Sequence, residues 1–449
     1  MMNRTEKTFG VTLLTILLIG MGTSTTAQTT SSTASYSGDF LTRSTLTGDW
    51  GGLRNDLAAK GVTFDVSLTQ VGQGIVSGGR EQDWRYGGRG NLTTTIDTQK
   101  LGLWPGGFLT VEVEGNYDKS VNFQTGALSA VNSNQLYPMP VGSNFDVPQV
   151  SFMQFLSPYF GIVAGKLDTT SGDANEFAHG KGDVQFLNLA FNFNPAVVLI
   201  TPYSTLGAGF IILPTKDPDD AMFNFNLLQT NGQASTSGFG DLDSDQLTFV
   251  GQGRVRTDIF GLTGHQLVGV EYSNKTFTSI DQNLRLIVEN HGLESTQGAW
   301  AVYYNFDQSL YETHKGSGQG VGIFGRFGAT EGDPNLIRYF YSFGVGGKGI
   351  IPSRPLDRFG IGYYYIDVSN PTFTGLLETS SFLRNEQGFE AFYNFAITPW
   401  MQLTPDLQVV RPSQKEAITI GRDIFGSAVV NRNSIDTAII LSFRLGLVF

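Results

Sequence analysis

The segment "DTAIILSFRLGLVF" at the end of the sequence alternates strictly. Ile439, Leu441, Phe443, Leu445, Leu447 and Phe449 fall on one face, with Ser442, Arg444 and Gly446 on the other. A period of two marks a β-strand whose two faces meet different surroundings. The same period recurs along most of the chain. In "RGNLTTTID", Leu92, Thr94 and Ile96 oppose Arg89, Asn91 and Thr93; in "FLTVEVEG", Leu109, Val111 and Val113 oppose Thr110, Glu112 and Glu114. "RYFYSFGVGGK", "DRFGIGYYYIDV" and "GFEAFYNFAI" repeat the pattern with Arg338, Arg358 and Glu390 on the polar face.

Strand length separates the two all-β solutions. A soluble sandwich uses strands of about five or six residues, whereas many segments here run to about ten, the length a tilted strand needs to cross a bilayer. Counting them from Val62 to Phe449 predicts about 16 strands, an even number as bacterial barrels require. The predicted fold class is therefore all-β: a transmembrane antiparallel β-barrel, apolar outside, with a charged face lining a water-filled lumen. Composition agrees, with 56 glycines, 12% aromatic residues and only 15% charged residues in 449. A mean hydropathy of -0.07 excludes a bundle of lipid-spanning helices. A net charge of -11 argues against nucleic acid as a partner, since phosphate binding needs a basic stripe. The absence of cysteine removes disulfides, thiolate metal sites and a cysteine nucleophile.

Ahead of the barrel, Arg4 and Lys7 precede the apolar run Val11–Met21, and Thr25 and Ala27 supply small residues for cleavage. The chain divides into a secretory signal peptide (1–27), a Ser/Thr-rich spacer (28–45), a short helix (46–61) and the barrel (62–449). The helix lies in "LTGDWGGLRNDLAAKGVTF", anchored by Asp49 and Trp50 and stopped by Gly61. At about two turns it is too short to be stable alone, so it is expected to dock on the periplasmic end through Leu53 and Leu57, with Trp50 at the membrane interface.

Other motifs carry less. GxGxxG occurs at Gly320, Gly322 and Gly325 and again at Gly344, Gly346 and Gly349, but neither copy opens a helix that could receive a phosphate. Strand glycines that let the sheet curve are the expected reading. Asp241, Asp243 and Asp245 resemble the start of a calcium loop, yet the sixth position is not glycine and the twelfth is Gln252, so a solvated acidic loop is expected. His179, His265, His291 and His314 are scattered, and neither GxSxG nor HExxH occurs. No catalytic residue, metal ligand or cofactor is predicted. Two polar stretches, Ser120–Asp146 and Leu227–Asp245, read as outer loops able to fold into the pore. Phe340, Tyr364 and Phe392 fall on the lumen side, where flat rings suit the apolar faces of sugars.

Several blocks in order, "LTGDWGGLRNDLAAKGVTFDVSLTQVGQGIVSGG", "GGFLTVEVEG", "GKLDTTSGDANEFAHGKGDVQFLN", "LTGHQLVGVEYSNKTF", "RPLDRFGIGYYY" and "EAFYNFAITPWMQLTPDLQVVRP", resemble the carbohydrate-selective porin family of the OprB type. They span nearly all of the mature chain. The resemblance implies a 16-stranded outer-membrane barrel that admits glucose and related neutral sugars by passive diffusion, without cofactor or energy source. It also implies a constriction of charged and aromatic side chains. By motif position the candidates are Arg89, Glu112 and Glu114, with Arg338, Arg358 and Glu390 behind them. Resemblance to bacterial outer-membrane barrels at large makes Phe449 the signal read by the barrel-assembly machinery, with lipid and lipopolysaccharide around the wall. A monomer and a homotrimer both fit the sequence. A general diffusion porin for small hydrophilic solutes and ions is the alternative within transport; an outer-membrane barrel enzyme and a plugged adhesin are readings from other classes.

Overall fold

The computed structural model describes residues 36–139, 145–243, 245–289, 291–374, 382–422 and 428–449. The expected signal peptide and the first eight residues of the expected spacer lie outside them. Sixteen antiparallel strands close into one barrel. They are β1 (Val62–Gly79), β2 (Trp84–Asp97), β3 (Gly107–Asp118), β4 (Phe145–Ser157), β5 (Phe160–Asp168), β6 (Ser204–Ile212), β7 (Ala221–Gln229) and β8 (Leu247–Ile259) in the first half. The second half holds β9 (Leu262–Thr278), β10 (Ser295–Glu312), β11 (Gly320–Thr330), β12 (Ile337–Lys348), β13 (Arg358–Val368), β14 (Glu386–Thr398), β15 (Met401–Arg411) and β16 (Asp436–Val448). Strand β16 closes the ring on β1, with Leu68 opposite Leu447. All-next-neighbour pairing needs only hairpin turns, and closure leaves no exposed edge.

Burial is inverted relative to a soluble protein. On β12 and β16, Tyr341, Phe343, Leu441 and Phe443 are exposed, while Ser342, Ser442 and Arg444 are buried. Such a wall is stable only against lipid, where each strand turns its apolar face outward. The two ends differ. Two-residue turns at Pro158–Tyr159, Phe260–Gly261 and Pro399–Trp400 lie at one end, together with the N-terminal helix. The long connections lie at the other end.

The helix, α1 (Leu53–Ala59), does dock on the barrel, but through different side chains from those expected. Leu53 is 55% exposed; the buried members are Arg54 and Ala58. Arg54 donates to the carbonyls of Phe449 (2.8 Å) and Phe64 (2.6 Å) and lies over the ring of Tyr36. Strand-end carbonyls at the β1–β16 seam lack ladder partners, and a forked guanidinium satisfies two of them at once, which leucine cannot do. Gly61 ends the helix at φ 86°, and a side chain there would run into the Asp97 carbonyl.

Two segments between strands fold into the lumen. The first, after β3, buries Val121, Asn122 and Val131 against the wall. The second, Thr169–Tyr203 between β5 and β6, is the larger, and it folds inward onto the facing strands. Its Phe186, Ala190, Phe191 and Ala196 form the main apolar cluster with Phe324, Phe340, Tyr364, Ile366 and Phe392 of the wall. Phe340, Tyr364 and Phe392 are therefore covered by this loop, at 0%, 0% and 5% exposure, and offer no surface to a passing solute. Of the two stretches expected to enter the pore, Ser120–Asp146 does so over its described part. Leu227–Asp245 reaches inward mainly at Ala234.

The GxGxxG glycines have a steric role beyond curvature. Gly322, Gly346 and Gly360 stand opposite one another across β11, β12 and β13. A Cβ at Gly322 would lie 2.3 Å from the Phe177 ring, one at Gly346 2.7 Å from Phe177 Cβ, and one at Gly360 2.7 Å from the Phe186 ring. The row forms a shallow track in the wall that seats the aromatic rings of the loop.

Candidate functional site

Three of the six candidate residues come together on the lumen faces of neighbouring strands. Arg89 on β2 reaches Glu114 on β3 at 2.5 Å, and Asn91 donates to Glu112 at 2.5 Å. The loop completes the group. Lys181 lies 2.6 Å from Glu114, 2.5 Å from Asp168 at the end of β5 and 3.5 Å from Glu112, while Asp183 takes the second Arg89 nitrogen at 2.5 Å. Tyr203 donates its hydroxyl to Glu114. The Tyr137 and Tyr203 rings lie 4.9 Å apart, tilted at 48°, and flank the Lys181 ammonium at 5.2 and 5.1 Å.

This arrangement explains how a buried lysine keeps its charge. Burial alone would push Lys181 toward neutrality, but Asp168, Glu112 and Glu114 outweigh it and hold its pKa well above the ordinary lysine value. Asp183 is half-buried; desolvation would raise its pKa, but the Arg89 guanidinium holds it below the usual carboxylate range. Oxygens of Glu112, Glu114 and Asp168 converge within 4.8 Å of one another, a spacing compatible with a metal ion. The Lys181 ammonium already bonds all three, so the cage has its cation in the chain itself. His179 on the same loop is held neutral, its pKa pushed down to about 3 by burial and by Arg326 and Arg254.

The other three candidates have different surroundings. Glu390 is fully buried on β14 and accepts the backbone N–H groups of Leu187 (2.5 Å) and Asn188 (2.9 Å), which ties the loop to the wall. Arg358 opens β13 opposite Lys348 on the lumen face. Arg338 is not brought to the others. A register shift between Ile337 and Tyr339 carries it out of the lumen face, and it pairs with Asp367 at 2.9 Å with 53% of its side chain exposed.

Further anchors were not singled out as site residues from sequence. Arg444 holds the carbonyls of Gly182 and Gln185, both at 2.7 Å; Arg326 grips Asp173 at 2.7 Å and the Ala178 carbonyl at 2.6 Å. Glu386 accepts from Leu128 (2.5 Å) and Ser129 (3.0 Å) and so docks the first inner segment. Lys181 and Asp183 lie in "GKGD", an aperiodic glycine-rich stretch. Apart from the family resemblance of the block that holds it, its sequence signal is a connection far longer than a hairpin needs, and such connections tend to be functional.

A closed 16-stranded barrel with an ion-paired loop across its lumen is the architecture of a porin, and the sequence comparison agrees. Residues 81–449 match the model of the family described as "Carbohydrate-selective porin, OprB family". The chain belongs to this family. This OprB-family porin is thus an outer-membrane β-barrel channel. It is 24% identical to Porin B of Pseudomonas aeruginosa over 418 residues, 81% of this chain and 86% of that protein. Among solved structures it is similar in fold to OprB of Pseudomonas putida in the form described as high-pH, with a TM-score of 0.74 at 19% identity over 92% of this chain and 100% of that one. The low-pH form of the same protein aligns with a TM-score of 0.55 at 15% identity over 91% and 99%.

Proposed function

We propose that the porin is a passive channel preferring neutral carbohydrates, glucose and related hexoses, with its constriction where Arg89, Glu112 and Glu114 meet the loop at Lys181. The observation that carries this reading is the state of Glu112. Its neighbours Glu114 and Asp168 are saturated by short ion pairs, whereas Glu112 lies 3.5 Å from Lys181 with 12% of its side chain exposed. An anchored carboxylate with acceptor capacity left over suits a hydroxyl donor better than a free ion. Two cations, Arg89 and Lys181, stand against four carboxylates, so the field the cluster leaves repels anions, while its hydrogen bonding serves neutral hydroxyls.

On the same reading, residues 1–27 are removed on export, Phe449 is recognised by the assembly machinery, and lipid and lipopolysaccharide cover the wall. Liposome swelling tests the preference. Proteoliposomes should swell faster in glucose than in an amino acid of matched size, and Glu112→Gln should narrow the difference. Equal wild-type rates would replace this reading with a general diffusion porin.

A further inference from the structure

Between the Lys181 cluster and the helix-bearing end, the lumen face of β7 and β8 holds polar groups that the chain leaves unfilled. Arg254 on β8 is 7% exposed and its Nε is buried without a partner; among the described residues its guanidinium makes no hydrogen bond or close ion pair. Asn224 on β7 has a buried Oδ1 that is likewise unpartnered. The ladder brings the two together. Asn224 stands opposite Gln252 and Met222 opposite Arg254, so Asn224 and Arg254 are diagonal neighbours on one face, a spacing that long side chains bridge. Gln252 is turned to other partners, its Oε1 accepting the Asp173 N–H and the Tyr303 hydroxyl, both at 3.0 Å. Asn226, two residues further along β7, makes no hydrogen bond among the described residues, and its Oδ1 occupies the space that a Cβ at Gly209 would take.

A buried guanidinium and a buried amide oxygen each cost stability when nothing fills them. Keeping both side by side on a lumen wall therefore points to something that enters. The charge of Arg254 does not select an anion, because the carboxylates of Glu176, Asp219 and Asp307 lie within electrostatic reach and answer it at a distance. What the place lacks is hydrogen-bond partners. Beside the amides the wall turns apolar. Val163 on β5 is in line with Asn226 through Gly209, and Met222 lies next to Asn224 on the same face; both are half-buried, and Met222 packs against the Ile211 cluster.

We infer that Arg254, Asn224 and Asn226, with Met222 and Val163 beside them, form a second solute subsite that takes a neutral pyranose, its hydroxyl edge on the guanidinium and amides and its apolar face on the methionine and valine. This rests on the carbohydrate-channel reading and adds to it a place where the solute pauses on the helix-bearing side of the constriction. A hydroxyl is both donor and acceptor, and a guanidinium with two amides offers it both in return. The water that fills these groups in the resting channel is displaced by a solute able to reproduce its hydrogen bonds.

The test is the concentration dependence of labelled glucose flux into proteoliposomes of the full-length protein, with a size-matched neutral amino acid run in parallel. Wild-type glucose flux should saturate. Arg254→Met should raise the half-saturating concentration by about tenfold, as expected for losing a hydrogen bond to a charged group, and Asn224→Leu by about fivefold. Because neither side chain has a hydrogen-bond partner in the chain, both variants should unfold in urea at midpoints no lower than the wild type. Weaker glucose saturation without loss of stability separates a solute contact from a structural one. Glucose flux that never saturates, half-saturation unchanged in both variants, or midpoints lowered in both, would overturn the subsite. Equal wild-type entry rates for glucose and the amino acid, with glucose saturation still shifted by the variants, would remove the neutral-sugar preference while keeping the subsite.

Discussion

Lys181 is the residue on which the closed arrangement of the lumen depends most. It stands for the cation that three convergent carboxylates would otherwise need, and removing it leaves those charges buried without compensation. Breaking one side of a buried ion cluster costs about 3 kcal/mol or more. Lys181→Met should therefore lower hydrogen-exchange protection of the loop amides at Leu187 and Asn188 by about a hundredfold at neutral pH. In the wild type the same pairs define a pH window. Lys181 has a raised pKa, so its contribution is fully present below the ordinary 10.5 and is lost only as pH rises through the higher folded value. Asp183 has a lowered pKa, so its contribution is present above the ordinary 3.8 and is lost as pH falls through the lower folded value. The part of the protection that Lys181 and Asp183 supply should stay flat between about pH 5 and 9. A slope inside that range would mean that a further titrating group, first of all the Glu390 carboxylate that accepts these two N–H groups, adds to the hold of Lys181 and Asp183.

At the scale of elements, the wall and the loop are fitted by subtraction as much as by contact. The glycine row across β11, β12 and β13 admits Phe177 and Phe186, so Gly346→Val should overpack the track, at a cost of about 1–3 kcal/mol. The loop turn should lift, chymotrypsin should cleave after Phe177, and Gly346→Val/Phe177→Ala should restore the resistance of the remaining loop. Cleavage unaffected by Gly346→Val would show that the track does not seat the loop. This element also marks where sequence stops being informative. The strands, their number and their inward charges at Arg89, Glu112 and Glu114 are legible because a two-residue period fixes the face from local information alone. Lys181 is not, because its segment has no period and its partner Glu114 is 67 positions away. Arg338 is misread for a third reason: one register shift reverses its face, and nothing in the alternation of its neighbours announces it. Leu53 looked like the docking side chain because apolar spacing was the only helical signal, whereas the seam required a hydrogen-bond donor.

The whole molecule is a soluble protein's logic turned inside out, and that inversion makes a graded prediction. Arg444 is stable at 1% exposure because it faces the lumen and finds the carbonyls of Gly182 and Gln185. Phe343, mid-strand on β12, is 53% exposed, and Tyr339 is 41% exposed near the long-loop end of the same strand. Both face lipid, but at different depths. An arginine near the bilayer midplane of a barrel costs about 2–4 kcal/mol, falling to about 0–1 near the interface. Phe343→Arg should therefore destabilise folding into lipid vesicles by about 2–4 kcal/mol in urea titrations, and Tyr339→Arg by about 1 kcal/mol or less beyond its lost aromatic contact. In detergent micelles, whose apolar region deforms around a charge more readily than a bilayer, the gap between the two should shrink. Equal costs in vesicles would place both positions at one depth, contradicting a strand that crosses the membrane from the loop end to the helix end. A graded cost would tie the alternation first visible in the sequence to the lipid that makes it stable.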